Sequence, residues 1–446
     1  MTDPRPASPS KSAEAQTTDA DDSRDPAYFQ YYGQMQHQQN MLQDYVRTSA
    51  YQTAIVQNGP SVFKDKLVLD VGAGSGILSF FAVQAGAAKV YAVEASDMAR
   101  NIQLLLDAAK PDRLQPKNPW LHNKVEVRNA KMEDPGLNIP AVDVIISEPI
   151  GVLLVHERML ESFLYARDNY LKPGGTILPS QGVIHLAPFT DSTLWTETMT
   201  KVRFWEQQAF YGVDWTALFP IGLNEYFRMP VVGYFDPKSL IARPTTDGYS
   251  VDFTSITVDD LKQFTVPFYW TCEYTGIMHG IAGWFDLKFC PPSTLHGTVN
   301  TSMSTSPDAP RTHWQQVRFL LQEPLAVNAN QVIMGHMHCT VNDKRSYDLA
   351  VELSLCPSGT LPTDPVPAGA ITRRGMWLLH EQTYNYSYNP TPGQEFFPEY
   401  AGLYTQDMSA VNLPGSLVPP LVDSPGIVTV PTDTEAAFDA MAEDLN

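Results

Sequence analysis

Two glutamates, Glu148 and Glu157, enclose a short loop that follows an apolar run and precedes a predicted helix. The run 142–147 predicts a buried strand, so both carboxylates are expected near its end. Paired carboxylates suit a cationic ligand, and a guanidinium presents five donors in a planar fork. Two carboxylates that share this fork would draw its charge to one side and leave the remaining nitrogen a better nucleophile. The simpler alternative is two surface glutamates at the start of a helix.

A glycine-rich loop supplies a second candidate site. The run 67–71 predicts a strand that ends in Gly72, Gly74 and Gly76, and a helical pattern follows. A dinucleotide fingerprint has its third glycine one residue later, where this chain has Ile77. The strand predicted over 89–93 ends at Glu94, which stands about 20 residues after the loop, the usual place for a carboxylate that binds ribose hydroxyls. Taken alone, the loop could be a structural turn.

The elements around these residues predict two domains. Residues 26–180 alternate strands and helices, which indicates a doubly wound parallel sheet with its ligands at the carboxyl ends of the strands. Glu94, Glu133 and Glu148 should therefore cluster. Residues 181–355 predict an antiparallel β-barrel, in which the aromatic segment 203–227 projects as an arm and forms a protein interface. The predicted strands are 67–71, 89–93, 124–127, 142–147 and 172–178 in the first domain, and 185–187, 231–232, 249–253, 264–266, 281–289, 297–303 and 347–355 in the second.

Composition limits the partners and the compartment. The net charge of −19 argues against direct binding of nucleic acid and favours encounter with basic partners. No apolar run approaches the ~20 residues that a membrane span needs, and no signal-peptide pattern is present. Four cysteines, at 272, 290, 339 and 356, include no C-x-x-C pair, so we expect neither a zinc site nor any other metal site. A reducing compartment, the nucleus and the cytoplasm, fits this cysteine usage.

The two ends of the chain are predicted to be disordered, over 1–25 and 356–446. Within the acidic C-terminal tail, Thr432 and Glu435 form a capping box, and Phe438, Met441 and Leu445 share one face of a helix predicted over 433–445. This acidic helix could dock into the groove of a transcription coactivator, or it could be a frayed terminus.

Several motifs together resemble a known family. Gly72–Gly76 after Asp70 resembles motif I of the S-adenosylmethionine-dependent methyltransferases. The segment 147–162 resembles the double-E loop of the protein arginine N-methyltransferases, Thr312-His313-Trp314 resembles their T-H-W loop, and Tyr28-Phe29-x-x-Tyr32 resembles their N-terminal motif. Residues 26–355 as a whole are similar to the coactivator-associated members. In the double-E loop, Ile150 and Val152 stand where methionine and tyrosine are usual.

The resemblance implies a role for each matching position. Glu148 and Glu157 would hold the substrate guanidinium, and His313 would pair with Asp44 as a proton exit and a clamp on the N-terminal amphipathic helix. Without the family, His313 beside Trp314 reads as a packed structural histidine. Arg47 would bind the cofactor carboxylate, Glu94 the ribose and Glu133 the adenine amine. The remaining expected contacts are Gln38, Asp70, Gly72, Gly74 and Ser162 for the cofactor, and Phe29, Tyr32, Met41 and Trp314 for the substrate.

The implied activity is that of a type I enzyme, which makes monomethylarginine and then asymmetric dimethylarginine on histone H3 and other proteins with accessible arginines. The family also implies head-to-tail homodimerisation through the arm. Two alternatives remain: a cofactor-binding transcriptional scaffold without catalysis, and a small-molecule methyltransferase of the same fold. The small-molecule enzyme would lack both the T-H-W loop and the paired glutamates, and the scaffold reading would be favoured by loss of either glutamate.

Overall fold

A five-stranded parallel sheet organises the first half of the chain in this computed structural model, which describes residues 25–244 and 248–385. The strand order is β3-β2-β1-β4-β5, and all neighbours run parallel. The three central strands, β2, β1 and β4, are mostly apolar and buried, as expected where helices cover both faces of a parallel sheet. The strands are β1 Leu67–Val71, β2 Lys89–Val93, β3 Val125–Arg128, β4 Val142–Ser147 and β5 Leu171–Leu178.

Three α-helices and a short π-helix, Gly59–Phe63, precede the sheet, where the sequence predicted a single amphipathic helix. The helical conformation is interrupted at Gly33 and Gln34, and again at Asp44. The side chain of Asp44 accepts a hydrogen bond from the backbone N–H of Arg47 at 3.0 Å and so caps the third helix. The helices are α1 Asp25–Tyr32, α2 Met35–Gln43 and α3 Tyr45–Val56, followed within the parallel half by α4 Ile77–Gln84, α5 Met98–Ala108 and α6 Met159–Tyr170.

Two antiparallel sheets form the barrel-like second half. One has the order β16-β7-β12-β10-β6-β8, with β11 paired to β10, and the other has the order β15-β14-β13-β9. The short pair β16 and β7 is parallel. The strands are β6 Gln181–Phe189, β7 Val231–Val232, β8 Tyr249–Asp252, β9 Gln263–Thr271, β10 Gly276–Phe289, β11 Thr301–Ser304, β12 Val317–Val327, β13 Val332–Val341, β14 Tyr347–Cys356, β15 Ile371–Leu378 and β16 Thr383–Tyr384.

One cluster of buried apolar side chains runs through both the parallel sheet and the barrel. The predicted fold class, a Rossmann-like domain followed by an antiparallel barrel, is confirmed. Among the described residues no helix is long and apolar enough to cross a membrane.

The projecting arm begins earlier than its predicted start at residue 203. It consists of α7 Ser192–Arg203 and α8 Phe219–Phe227, joined by two short 3₁₀ turns, and it packs on its own small core with Phe189 and Trp284 of the barrel. Tyr211 and Ile221 are exposed near its end.

The predicted boundary at residue 355 is wrong, because folded chain continues to residue 385. Strand β15 pairs along its length with β14. Trp377 is buried, and the centre of its ring lies 5.3 Å from the centre of the Phe319 ring. Three short elements also lie in the barrel half, namely the 3₁₀ turn Pro237–Ser239, the helix α9 Val258–Lys262 and the 3₁₀ turn Leu379–Glu381. Disorder was predicted over 1–25, but Asp25 begins α1. The rest of that prediction, the disorder predicted beyond residue 385 and the helix predicted over 433–445 lie outside the described residues.

Trp377→Ala tests whether β15 is an integral part of the barrel. We expect the free energy of unfolding in urea to fall by about 3–5 kcal/mol, because a fully buried indole leaves a cavity that the sheet cannot fill. Met376→Ala, on the exposed face of the same strand, should change it by about 0.5 kcal/mol or less. Equal effects of the two substitutions would mean that β15 does not belong to the barrel's cooperative core.

Candidate active site

A cavity of about 910 Å³ lies at the carboxyl ends of β1, β2 and β4, beneath α1 and α2. This location is the one that parallel sheets use for ligands. Twelve of the residues proposed from the sequence line it: Phe29, Tyr32, Gln38, Met41, Arg47, Gly72, Gly74, Glu94, Glu133, Glu148, Glu157 and Ser162. Four others do not line it: Asp44, Asp70, His313 and Trp314.

The glycine loop forms one wall of the cavity. Gly72 and Gly74 have φ values of 67° and 53°, in the left-handed region that favours glycine. A Cβ atom at Gly72 would stand 2.4 Å from the Cε of Met159, and one at Gly74 would stand 3.0 Å from the Oε1 of Gln38. The two glycines therefore let the side chains of Met159 and Gln38 lie directly against the main chain of the loop, where a Cβ atom would displace them.

Glu94 holds this loop in place. One of its carboxylate oxygens accepts the backbone N–H of Gly74 at 2.7 Å, and the other accepts that of Ser96 at 2.7 Å. Each oxygen retains a lone pair for a further donor, such as a sugar hydroxyl. The acceptor oxygens of Glu94, placed beside the glycine loop, therefore fit the ribose of an adenosine-type cofactor.

Asp70 does not contact the cavity, contrary to its predicted role as a cofactor ligand. It is fully buried behind the loop, where it accepts the hydroxyl of Ser79 at 2.7 Å. Burial raises the pKa of Asp70 to about 7, although hydrogen bonds from Ser79 oppose the shift. Asp70 thus ties β1 to α4 instead of facing a ligand.

Glu148 follows directly after β4 and already binds a guanidinium. Its Oε2 accepts hydrogen bonds from Arg47 Nη2 at 2.8 Å and from Arg47 Nε at 3.3 Å. Arg47 also donates to the carbonyl of Met41, so α3 and the strand end are joined through this ion pair. The family resemblance implies a cofactor carboxylate as a partner of Arg47, and in this structure its guanidinium binds Glu148.

Glu157 is held by neutral donors. The hydroxyls of Tyr32 and Tyr28, both on α1, donate to its Oε2 at 2.6 and 3.1 Å. Burial, with a smaller contribution from the charge of Glu148, raises the pKa of Glu157 to about 7, although these hydrogen bonds and the charge of Arg345 oppose the shift. Burial and the nearby Glu157 also raise the pKa of both tyrosines, so they remain protonated donors.

The loop between the two glutamates inserts into the barrel. Leu153 and Leu154 have positive φ values and are buried. Barrel glycines accept them, since a Cβ atom at Gly283 or Gly182 would come within 2.6 Å of the leucine side chains. Gly151 is equally constrained, because a Cβ there would stand 2.2 Å from a backbone oxygen of the same loop. The barrel thus determines the course of the loop.

His313 and Trp314 act from behind the cavity wall. Both the backbone N–H and the Nδ1 of His313 contact Asp44 Oδ2, at 2.8 and 2.7 Å. Burial raises the pKa of Asp44, but the hydrogen bond and charge of His313 outweigh it and the net pKa is lowered. Trp314 is buried and donates its indole N–H to the carbonyl of Ile150 at 2.9 Å. The substrate contact predicted for Trp314 is therefore replaced by support of the loop.

Tyr28 and Arg345 line the cavity near Glu157 but were not among the proposed site residues, although Tyr28 belongs to the N-terminal motif. Tyr28 had a usable signal, since it stands one helical turn before Tyr32 in a cluster of aromatic residues. Arg345 had none, because it reaches the cavity from the distant turn between β13 and β14, where its guanidinium lies 4.5 Å from the centre of the Tyr28 ring. Within 25–244 and 248–385, no group of three or more His, Cys, Asp or Glu side chains is placed to hold a metal ion.

Comparisons with known proteins agree with this geometry. A family model described as the arginine methyltransferase oligomerization subdomain matches residues 180–358, and a model of ribosomal protein L11 methyltransferase matches residues 35–184. Histone-arginine methyltransferase CARMER of Drosophila yakuba is 47% identical over 335 residues, which cover 75% of this chain and 59% of that protein. The chain belongs to the protein arginine methyltransferase family. The resemblance predicted from the motifs is thereby confirmed.

Solved structures of other arginine methyltransferases share the architecture. Arabidopsis thaliana protein arginine methyltransferase 10 aligns with a TM-score of 0.66 and 28% identity, over 78% of this chain and 99% of that one. The Trypanosoma brucei PRMT1 enzyme–prozyme complex with AdoHcy aligns with a TM-score of 0.63 and 26% identity, over the same shares of the two chains. Among curated arginine methyltransferases, Drosophila melanogaster's probable CARMER also matches at 47% identity, and this chain again spans 59% of its length.

The raised pKa of Glu157 predicts a pH-dependent stability. The folded state holds this proton more tightly than the unfolded chain, whose glutamate pKa is about 4.3, so the free energy of unfolding falls as pH rises from about 4.3 through about 7. Glu157→Gln removes the effect. The free energy of unfolding of Glu157→Gln should therefore exceed that of the wild type by on the order of 2 kcal/mol at pH 8 and by almost nothing at pH 4.5.

Urea unfolding of both proteins at the two pH values measures this difference, and the titration of Asp70 cancels because both proteins contain it. Glu133→Gln is the matched control, since Glu133 lines the same cavity but is exposed. A gain for Glu157→Gln that did not change with pH would contradict the assigned pKa.

Proposed function

We propose that this protein transfers methyl groups from S-adenosylmethionine to guanidino nitrogens of arginines in other proteins. The observation that carries the proposal is the placement of Glu148 and Glu157 in one cavity that the glycine loop also lines. Glu148 already receives two hydrogen bonds from the guanidinium of Arg47, so its carboxylate is presented in a geometry that a planar guanidinium can use. A small-molecule methyltransferase has no need of such a pair.

The cofactor would occupy the part of the cavity between the glycine loop and α2. When bound, S-adenosylmethionine supplies a methyl group on a sulfonium, which is open to attack by a nitrogen lone pair. Gly72 and Gly74 would admit it to the backbone, Glu94 would bind the ribose hydroxyls and Glu133 the adenine amine. Gln38 and Ser162 line the same space as further contacts, and Arg47 adjoins it with a cationic head for the cofactor carboxylate.

The chain's own residues would orient and polarise the substrate. Glu148 and Glu157 would each take part of the guanidinium fork and fix the third nitrogen toward the methyl donor. Phe29, Tyr32 and Met41 would enclose the arginine side chain and exclude water. The proton released on transfer would leave through the carboxylates toward the His313–Asp44 pair, which also clamps α3 to the barrel.

The finer features of this activity are proposed with it. The product would be monomethylarginine and then asymmetric dimethylarginine, and histone H3 would be among the substrates, with a role in transcription in the nucleus and a further pool in the cytoplasm. The support is the similarity to proteins named histone-arginine methyltransferases. A net charge of −19 also favours encounter with basic histone segments.

Two assemblies are proposed as well. The exposed apolar side chains of the arm, which include Tyr211 and Ile221, would bind a second copy of the chain. Sedimentation of the double variant Tyr211→Ser/Ile221→Ser should then report more monomer than the wild type.

The acidic helix predicted over 433–445 would bind a coactivator. A chain that ends at residue 385 should therefore keep its transfer activity and lose that partner.

Incubation with isotopically labelled S-adenosylmethionine and histone H3, followed by mass spectrometry, tests the activity. We expect label on arginine as the monomethyl and asymmetric dimethyl forms. Glu148→Gln and Glu157→Gln should each lower kcat/KM by about 100-fold or more, because each removes a charge-assisted contact to the guanidinium. Both variants should still bind S-adenosylhomocysteine.

Glu352→Gln, on the exposed face of β14, is the control and should keep wild-type activity. Cofactor binding by the wild type without transfer to any arginine would reject the proposed activity. Symmetric dimethylarginine would reject only the type of product.

A further inference from the structure

The turn between β13 and β14, residues 342–346, touches the catalytic half of the molecule at three points. The Oγ of Ser346 lies 2.8 Å from the Nδ1 of His156, and the backbone oxygen of Asn342 accepts a hydrogen bond from Arg158 at 3.3 Å. The guanidinium of Arg345 lies over the ring of Tyr28. All three contacts reach groups that adjoin or bind Glu157, although the turn belongs to the barrel.

The first two contacts hold the backbone on both sides of Glu157. His156 precedes it and Arg158 follows it, and both Glu157 and Arg158 are left-handed, with φ values of 73° and 56°. A non-glycine residue in this region costs roughly 1–3 kcal/mol and persists only where its surroundings impose it. Ser346 is fully buried, and burial lowers the pKa of His156 to about 4, so a neutral hydrogen bond shielded from water imposes the conformation here.

The third contact orders the donors that meet the carboxylate. Arg345 stacks on Tyr28, and the Tyr28 ring packs on the Tyr32 ring with their centres 4.8 Å apart. Both hydroxyls end on the same oxygen of Glu157. The turn therefore acts on Glu157 through its backbone and, independently, through the aromatic pair on α1.

We propose that the β13–β14 turn is a positioning element for Glu157, in which Ser346 acts through His156 and Arg345 acts through Tyr28 to fix the carboxylate for guanidinium binding. This inference rests on the proposed function, since it assigns to Glu157 the task of holding an arginine. The three contacts of the turn end at His156, Arg158 and Tyr28, and none of these residues belongs to the glycine loop. Loss of these contacts should therefore weaken arginine binding selectively, whereas a turn that merely joined the two halves would affect stability and all ligands alike.

Ser346→Ala and Arg345→Gln test the inference, each with a matched control. Ser354→Ala removes another buried hydroxyl contact from β14, and Arg374→Gln removes an exposed arginine from β15. The measurement is the Kd of a synthetic peptide with a single arginine, in the presence of S-adenosylhomocysteine, together with the Kd of S-adenosylhomocysteine alone. We expect each turn variant to weaken the peptide about tenfold, as loss of one buried hydrogen bond or stacked cation implies, and to change the second Kd less than twofold.

A conservative pair sharpens the result. His156→Asn retains a hydrogen-bonding group close to Ser346 and should keep most of the peptide affinity, while His156→Ala should lose it. The inference is overturned if the turn variants bind the peptide as the controls do, or if peptide and S-adenosylhomocysteine affinities fall in parallel with the thermal midpoint.

A wild type that bound no arginine peptide would reject the proposed function instead. In that case hydrogen exchange of the amides over 150–158 still decides whether the turn positions this loop. Exchange faster in Ser346→Ala than in Ser354→Ala supports the positioning role, and equal exchange overturns it.

Discussion

The arrangement of the site depends on one constraint, which is that two carboxylates, Glu148 and Glu157, lie in the same cavity. Like charges raise each other's cost of ionisation, and burial adds to it. The chain compensates the two differently: Glu148 is paired with the cation of Arg47, whereas Glu157 is held by two neutral tyrosine hydroxyls and has a pKa of about 7. This asymmetry explains why helices before the first strand must fold over the sheet. Both sets of partners come from that N-terminal segment, so the acidic pair and its cover form one unit.

The geometry of the pair in turn depends on the barrel. Leu153 and Leu154 anchor the middle of the intervening loop in spaces that barrel glycines leave open, and Trp314 binds the carbonyl of Ile150 near the Glu148 end. Four residues of the loop, counting the two leucines, Glu157 and Arg158, have positive φ values. A backbone of this kind is stable only when several contacts impose it at once. The antiparallel domain therefore holds the strained loop in the conformation that places both glutamates in the cavity, in addition to any role in assembly.

The parallel half of the fold was predictable because its signals are local. Buried parallel strands are short apolar runs, and the predicted bounds of β1, β2 and β4 agree with the structure. Strands β12, β13 and β15 were missed, because proline, histidine and glycine, or paired arginines, interrupt the apolar alternation that identifies a strand. The same division holds in the site. Residues at strand ends could be placed by topology, but the burial of Asp70 and Trp314 and the approach of Arg345 follow from tertiary packing that no local pattern records.

The uneven treatment of the two glutamates also bears on how a cation would enter. Near neutral pH the empty cavity keeps a proton on a large share of Glu157, which relieves the repulsion from Glu148. A guanidinium that approaches favours the ionised form, so its binding and the release of that proton are thermodynamically linked. The tyrosine hydroxyls ease the exchange because they donate to the carboxylate and add no competing charge. In the empty site, Arg47 therefore compensates the charge of Glu148, and a proton neutralises much of Glu157. When a cationic ligand binds, Glu157 releases this proton and both carboxylates are charged. A second arginine, fixed at Glu157, would not allow this change.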